Sequence, residues 1–308
     1  MLDFLNTLPG ALALGLIWSV MAIGVYITYK VLNIADLTVD GSFVTGGIVA
    51  AVLITSGMHF VLAIVIATLA GAVCGLITGL LHTLLGIPAI LAGILTQMAL
   101  WSINLLISAG RSNVAVSVYS NTVALSQSVV GDALWKGALI IALIVGLLYL
   151  FFGTQLGASI RATGNNQDMA RAQGINTKMN IVLGLMISNA LVAFSGALLA
   201  QYQGFADINM GKGAIVIGLC AVVIGIAITS KISQNFLVRL LGCLMGGLIY
   251  YIIFQTVVFL GIDTNLLKML AAIIVIIFLG VPYLQRTYGA RVRKHYKNKK
   301  IVEGGNEK

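Results

Sequence analysis

The chain has 308 residues, of which 59% are hydrophobic and only 9% charged, with a mean hydropathy of +1.04. These values exclude a soluble two-domain protein of that length and describe a polytopic membrane protein. The net charge of +9 is no argument for nucleic acid. Eight of the eighteen basic residues (Arg286, Arg291, Arg293, Lys294, Lys297, Lys299, Lys300 and Lys308) follow the last apolar run, where a basic cluster orients a membrane helix and touches anionic lipid.

Apolar runs close to the ~20 residues that cross a bilayer as helix recur along the sequence, and the alternation of a membrane barrel is absent. The expected fold is therefore all-α, a membrane helix bundle. Cys74, Cys220 and Cys243 lie in apolar segments without metal-ligand spacing and read as small buried hydrophobes. Residues 1–9 carry Asp3 and no Lys or Arg, so no cleavable secretory signal is expected.

The first span covers 9–29 and ends at Lys30. Asn33, Asp36, Asp40 and Gly41 then precede an apolar run of only about 14 residues, 43–56. Two readings of Asp36 and Asp40 stand open: carboxylates inside the membrane, which are costly and functional, or caps of the second helix at the cytoplasmic interface. The third span, 60–85, spaces Gly71, Gly75 and Gly79 by four, a ridge against which another helix packs closely. Gly86 and Pro88 break the helix beside His82, which reads as an interfacial or satisfied histidine because no second ligand accompanies it.

The fourth span, 87–109, carries Thr96, Gln97, Trp101, Ser102 and Asn104, polar groups that need partners or a water-lined pathway. Residues 110–136 read as a polar loop or re-entrant hairpin on the outer side, and 137–152 as the fifth span. The longest polar interruption follows at 153–180, GTQLGASIRATGNNQDMARAQGINTKMN. Asn165 and Asn166 are N-cap candidates, Asp168 falls in a first turn and Gly174 is placed as a left-handed stop, giving one short helix at 167–173. A helix of that length needs packing from another surface. Arg161, Arg171 and Lys178 mark the segment as cytoplasmic.

Span six, 181–200, contains Ser188, Asn189 and Ser195, and 201–212 is a short outer loop whose Lys212 belongs to no phosphate-binding motif. Spans seven (214–228), eight (238–262, with Gly242, Gly246, Tyr250, Tyr251 and Gln255) and nine (266–284) lead into the tail. Residues 1–285 form the transmembrane domain and 286–308 a basic cytoplasmic tail. With nine spans and the N-terminus outside, fourteen basic residues fall inside against four outside. One broken or re-entrant element would make ten spans and put the N-terminus inside.

The stretch LGASIRATGNNQDMARAQGIN resembles the cytoplasmic loop of bacterial ABC importer permeases of the branched-chain amino acid and ribose type. The resemblance rests on Gly157, Ile160, Ala162, Gly164, Asn166, Ala170, Arg171, Gly174, Ile175 and Asn176. Residues 34–41 are similar to the family's G-I-D-L-S-V-G, with two substitutions and one inserted residue. The segment 79–98 resembles its I-P-containing stretch. The resemblance implies a coupling helix that docks on an ATP-binding cassette ATPase, with Gly164, Asn165, Asn166, Gln167, Asp168, Ala170, Arg171 and Gly174 at that contact. It also implies a second permease copy, identical or homologous, an extracytoplasmic substrate-binding protein, and a place in the bacterial cell membrane.

No catalytic, cofactor or metal constellation stands out, so a transport subunit is expected rather than an enzyme, with ATP hydrolysis on a separate chain. No internal repeat is visible, and mid-span positions from 60 to 284 lack acidic residues, which disfavours the alternative of a secondary transporter or channel working without an ATPase. The candidate pathway residues are Thr96, Gln97, Trp101, Asn104, Ser188, Asn189, Tyr250, Tyr251 and Gln255, for each of which interhelical hydrogen bonding is the favoured reading over substrate contact. Their lack of charge suits a neutral or zwitterionic solute: an amino acid first, aromatic given Trp101 and the Tyr pair, and a sugar or nucleoside second.

Overall fold

The structure, a computed structural model, describes residues 2–116, 123–127, 130–229 and 235–261, with the isolated positions 269, 272, 273, 276 and 280. The expected ninth span apart from those positions, Lys231 and the basic tail lie outside the described residues. The elements are α1 (Leu2–Tyr26, continued by a π-helical turn Ile27–Val31), α2 (Val39–Thr55), α3 (Phe60–Thr83), α4 (Ala89–Ile107), β1 (Asn113–Ala115) and α5 (Val130–Gly153). They continue with α6 (Gln155–Asn165), α7 (Gln167–Ala172), α8 (Thr177–Gln203), β2 (Phe205–Asp207), α9 (Ala214–Thr229) and α10 (Phe236–Phe259). Among the described residues six helices, α1, α3, α4, α5, α8 and α10, are long and apolar enough to cross a membrane. α2 and α9 are apolar but shorter.

α8 is the spine, and small residues are the reason that its neighbours come so close. A Cβ on Gly71 or Gly75 of α3 would run into Asn189, Ala193 or the Leu185 carbonyl, and Gly46 and Gly196 bring α2 and α8 together in the same way. The helix admitted by the expected ridge on the third span is thus α8. Against α1 the contact is polar: Ser188 Oγ donates to the Gly24 carbonyl at 2.7 Å and Ser195 Oγ to that of Ile17 at 2.8 Å. Serine hydroxyls that reach across to a neighbouring backbone hold membrane helices together where apolar burial against lipid gains little.

α1 and α8 run antiparallel, since Gly24 meets Ser188 and Ile17 meets Ser195. One end of the bundle carries α6 and α7, called the elbow end below. The other carries an antiparallel ribbon in which Asn113, Val114 and Ala115 of β1 face Asp207, Ala206 and Phe205 of β2. With two strands of three residues each, this ribbon leaves the fold all-α, as expected. The expected loop at 110–136 is also shorter than foreseen, because α5 begins at Val130 and takes in Asp132 and Lys136, paired across one turn at 3.6 Å.

A repeat that does not show in the sequence is plain in the packing. α3 lies on α8 through Gly71 and Gly75, and α10 lies on α1, where Gly15 meets Leu248 and Tyr251 and Gly247 meets Ser19. α2 fills the angle between α3 and α8, and α9 that between α10 and α1, with Gly225 against Gly242 and Gly246 against Ala221. The triplets α1–α3 and α8–α10 share this plan in opposite directions. α1 stops at the elbow end, where Asn33 takes the left-handed φ of 57° that Asn tolerates, and the chain climbs to the middle of the bundle before α2 starts. α8 stops at the ribbon end, and the chain descends to the middle before α9 starts.

Gly75→Val forces a branched side chain into the Leu185 carbonyl of α8. It is expected to cost about 2 kcal/mol, as overpacking does, measured as a lower melting temperature of the detergent-purified protein.

Candidate functional site

Two regions concentrate polar chemistry. The first lies halfway along the bundle. Asp36, 3% exposed, accepts the backbone N–H of Thr38 at 2.9 Å on Oδ1 and the Asn189 amide at 2.7 Å on Oδ2. Asn189 is the thirteenth of the 27 residues of α8, and its Oδ1 accepts from Ser42 Oγ at 2.6 Å. From Thr38 a second chain of hydroxyls runs to Thr78 of α3 at 2.7 Å and on to Thr96 of α4 at 3.0 Å. Of the two readings of Asp36, the interfacial position does not hold: it stabilises the start of α2, but inside the bundle.

Asp40, one turn into α2, works across the repeat. Its two oxygens accept the backbone N–H groups of Gly213 at 3.0 Å and Ile215 at 2.8 Å. A carboxylate from one half-length helix therefore caps the N-terminus of the other, satisfying donors that α9 cannot pair itself and neutralising the positive end of its dipole. Beside this junction opens a cleft of about 290 Å³ between α2, α4 and the 208–212 segment, lined by Asp40, Gln97, Trp101, Asn104 and Lys212 among others. Asn104 is 1% exposed, yet neither its Oδ1 nor its Nδ2 has a partner within the described residues. An amide buried in this way costs free energy unless something fills the cleft and pairs with it.

Of the nine sequence-derived pathway candidates, Gln97, Trp101 and Asn104 line this cleft. Thr96 and Asn189 belong to the buried hydrogen-bond chains behind it. Ser188 is bonded to Gly24. Tyr250 and Tyr251 pack in the core of α10, Tyr251 with its ring 5.9 Å from that of Trp18. Gln255 sits further along α10, half-buried. Asp40 and Lys212 complete the cleft and were not among the candidates; the one available signal was the short apolar run following Asp40.

The second region is the elbow. Where one short helix was expected, two form, α6 and α7, with the kink at Asn166. Asn165 ends α6, and Asn166 alone is the cap, its Oδ1 accepting the N–H groups of Asp168 and Met169, both at 3.0 Å. Gly174 closes α7 with a φ of 78°, and Ile175 N–H reaches back to the Ala170 carbonyl. Arg171 is tied to the first residue of α8 through Nε to Thr177 Oγ1 at 2.9 Å, and pairs at 3.8 Å with Asp168. α6 is docked in turn: Gly164 abuts the Val31 carbonyl, and Asn180 donates to Thr163 at 2.9 Å. Ala170 is buried; Asp168, Met169 and Arg171 are exposed.

A model of the family described as the permease component of branched-chain amino acid transport systems matches residues 8–279. A tyrosine transport system permease protein of Clostridioides difficile (strain R20291) is 38% identical over 265 residues, covering 86% of this chain and 88% of that protein. An uncharacterized protein of Rickettsia prowazekii (strain Madrid E) is 36% identical over 278 residues, 90% of this chain and 98% of its own length. A fructose import permease protein of Bifidobacterium longum (strain NCC 2705) is 28% identical over 247 residues, covering 79% and 68%. No solved structure matches.

Asn104→Leu removes an amide that has no partner among the described residues, so the variant is expected to melt at the same or a higher temperature than the parent. Asn189→Ala, which leaves the Asp36 carboxylate short of a donor, is expected to lose roughly 2 kcal/mol in the same melting assay.

Proposed function

We propose a function that starts from membership: this chain belongs to the family of permease components of branched-chain amino acid transport systems, and it is a membrane-spanning transport subunit of the ABC importer type. In this reading it carries a small solute by alternating access, driven by ATP hydrolysis on separate subunits. The elbow end faces the cytoplasm. A second permease copy, identical or homologous, completes the pathway, because one elbow engages one ATPase, and a binding protein delivers solute at the ribbon end.

What supports this above all is the build of α7. It is capped at both ends by its own sequence, it is tied through Arg171 to the first turn of α8, and it presents Asp168, Met169 and Arg171 outward. A helix of six residues is not stable by itself. The effort spent holding it rigid suits a docking element that passes on force.

The solute is an amino acid, with an aromatic one preferred. The cleft sets the Trp101 ring beside two amides, Gln97 and Asn104, and the Lys212 ammonium. These groups match an apolar side chain, a polar head and a carboxylate, and a relative that carries the name of a tyrosine transporter points the same way. A sugar would use the amides and leave Lys212 idle.

One observation favours the second reading, an ion-coupled carrier: half-length helices meeting inside a bundle are a device of secondary transporters, and Asp36 is a buried carboxylate. Uptake into proteoliposomes separates the two. Tyrosine uptake is expected only when the ATPase, the binding protein and ATP are all present. Uptake by this chain alone under a proton gradient, abolished by Asp36→Asn, would replace the importer reading.

Arg171→Glu breaks the tie to Thr177 and sets two carboxylates side by side. Uptake is expected to fall roughly tenfold while the ATPase keeps its basal hydrolysis and the permease its melting temperature. Lys212→Met is expected to weaken uptake of tyrosine and leave the melting temperature unchanged.

A further inference from the structure

At the elbow end, beside α6, a recess of about 400 Å³ opens between α1, α6 and α10. Its lining includes Lys30, Arg161, Asn165 and Arg239, and no carboxylate among the described residues. Three cations converge on it. Lys30 stands on the π-helical turn that ends α1, with its side chain exposed; Arg161 comes from the middle of α6; Arg239 comes from the first turn of α10. The two ion pairs found among the described residues, Asp132–Lys136 and Asp168–Arg171, involve none of them. The Nε of Arg161 is buried without a hydrogen-bond partner among the described residues, and its guanidinium carbon lies 5.8 Å from the Phe236 ring centroid. Gathering like charges in one place is unfavourable unless an anion joins them, and the orphaned N–H marks where its oxygen belongs.

The anion has an apolar neighbour. A second recess continues from the first, sharing Arg161 and Phe236 and running on past Tyr149, Leu150 and Phe152. Leu150 and Leu147 are exposed on the outward face of α5, where a membrane helix meets hydrocarbon. A basic hollow joined to an apolar lane on a lipid-facing helix fits a molecule with a phosphate at one end and a chain at the other. Free phosphate would have no use for the lane.

We propose that this recess holds the phosphate of an anionic phospholipid from the leaflet at the elbow end, with an acyl chain lying along α5 past Leu150. The bound phosphate bridges α1, α6 and α10 and so fixes the base on which α7 is carried. The inference rests on the chain lying in a bilayer, as its family does, and is independent of which solute is moved.

The test uses the full-length protein purified in detergent and titrated with phosphatidylglycerol or phosphatidylcholine, bound lipid being counted by native mass spectrometry. Phosphatidylglycerol is expected to be retained at least fivefold better, since each basic group near a lipid phosphate is worth roughly a factor of five. The double variant R161Q/R239Q is expected to bring phosphatidylglycerol down to the phosphatidylcholine level, and R161K/R239K to keep most of the preference. R111Q, far off at the ribbon end, is expected to change nothing. Equal retention of the two lipids by the parent protein, or full retention by R161Q/R239Q, overturns the proposal. Displacement of phosphatidylglycerol by millimolar inorganic phosphate overturns the lipid as the source and makes the site one for free phosphate. Should R161Q/R239Q fail to fold, Lys30→Gln at its exposed position carries the same test, with a smaller expected fall; unchanged retention there counts as refutation. None of these readouts involves transport, so a failure here leaves the importer reading where it stands.

Discussion

A carboxylate held halfway along an apolar bundle is the constraint that organises this molecule. Asp36 sits where an unpaired charge would cost several kcal/mol, and its position is tolerable because Thr38 and Asn189 both donate to it. Those two donors fix much else. Asn189 ties the carboxylate to α8, Ser42 ties α2 to the same amide, and the hydroxyls of Thr38, Thr78 and Thr96 extend the link to α3 and α4. Four helices are thereby held in register at one depth by buried polar groups that bond to one another across the helix boundaries.

The same depth is where the two halves of the chain meet. α2 and α9 both begin there and run to opposite ends, so that two sets of unpaired N–H groups face the interior. Asp36 serves one and Asp40 the other. Each half thus lends side chains to a backbone problem created by its own interruption or by that of its counterpart. The reward is a break in the wall, and the cleft containing Asn104 opens beside it. A continuous helix in place of either α2 or α9 would have no open backbone and no reason for an acidic residue at this level.

The apolar runs made most of this bundle legible: the expected spans fall on α1 to α5 and α8 to α10, with their ends displaced by a few residues. The Gly71, Gly75 and Gly79 spacing told that a helix would come close, though not which one. The elbow could be read because its caps are local, set by Asn166 and Gly174 acting on their immediate neighbours. The depth of Asp36 could not, because its partner Asn189 is 153 residues away and a short apolar run looks the same whether it begins at the surface or inside. α6 was hidden by its composition, glycine and small polar residues that form a helix here against Val31 and Asn180 and would have little tendency to do so alone. The inverted plan was invisible for a related reason: it is conserved in packing directions, to which residue identity is a poor guide. In the cleft, polar residues on α4 were found, while Lys212 was assigned to an outer loop that in fact descends.

The bond between Arg171 and Thr177 joins the outermost helix to the innermost one. Thr177 opens α8, and twelve residues further, about 18 Å along an unbroken helix, the same rod carries Asn189. α8 contains no proline and is gripped along its length by α1, α2 and α3, so it has little freedom to bend. The elbow and the central amide thus ride on one rigid rod, and any displacement of Thr177 along the axis of α8 is a displacement of Asn189 as well.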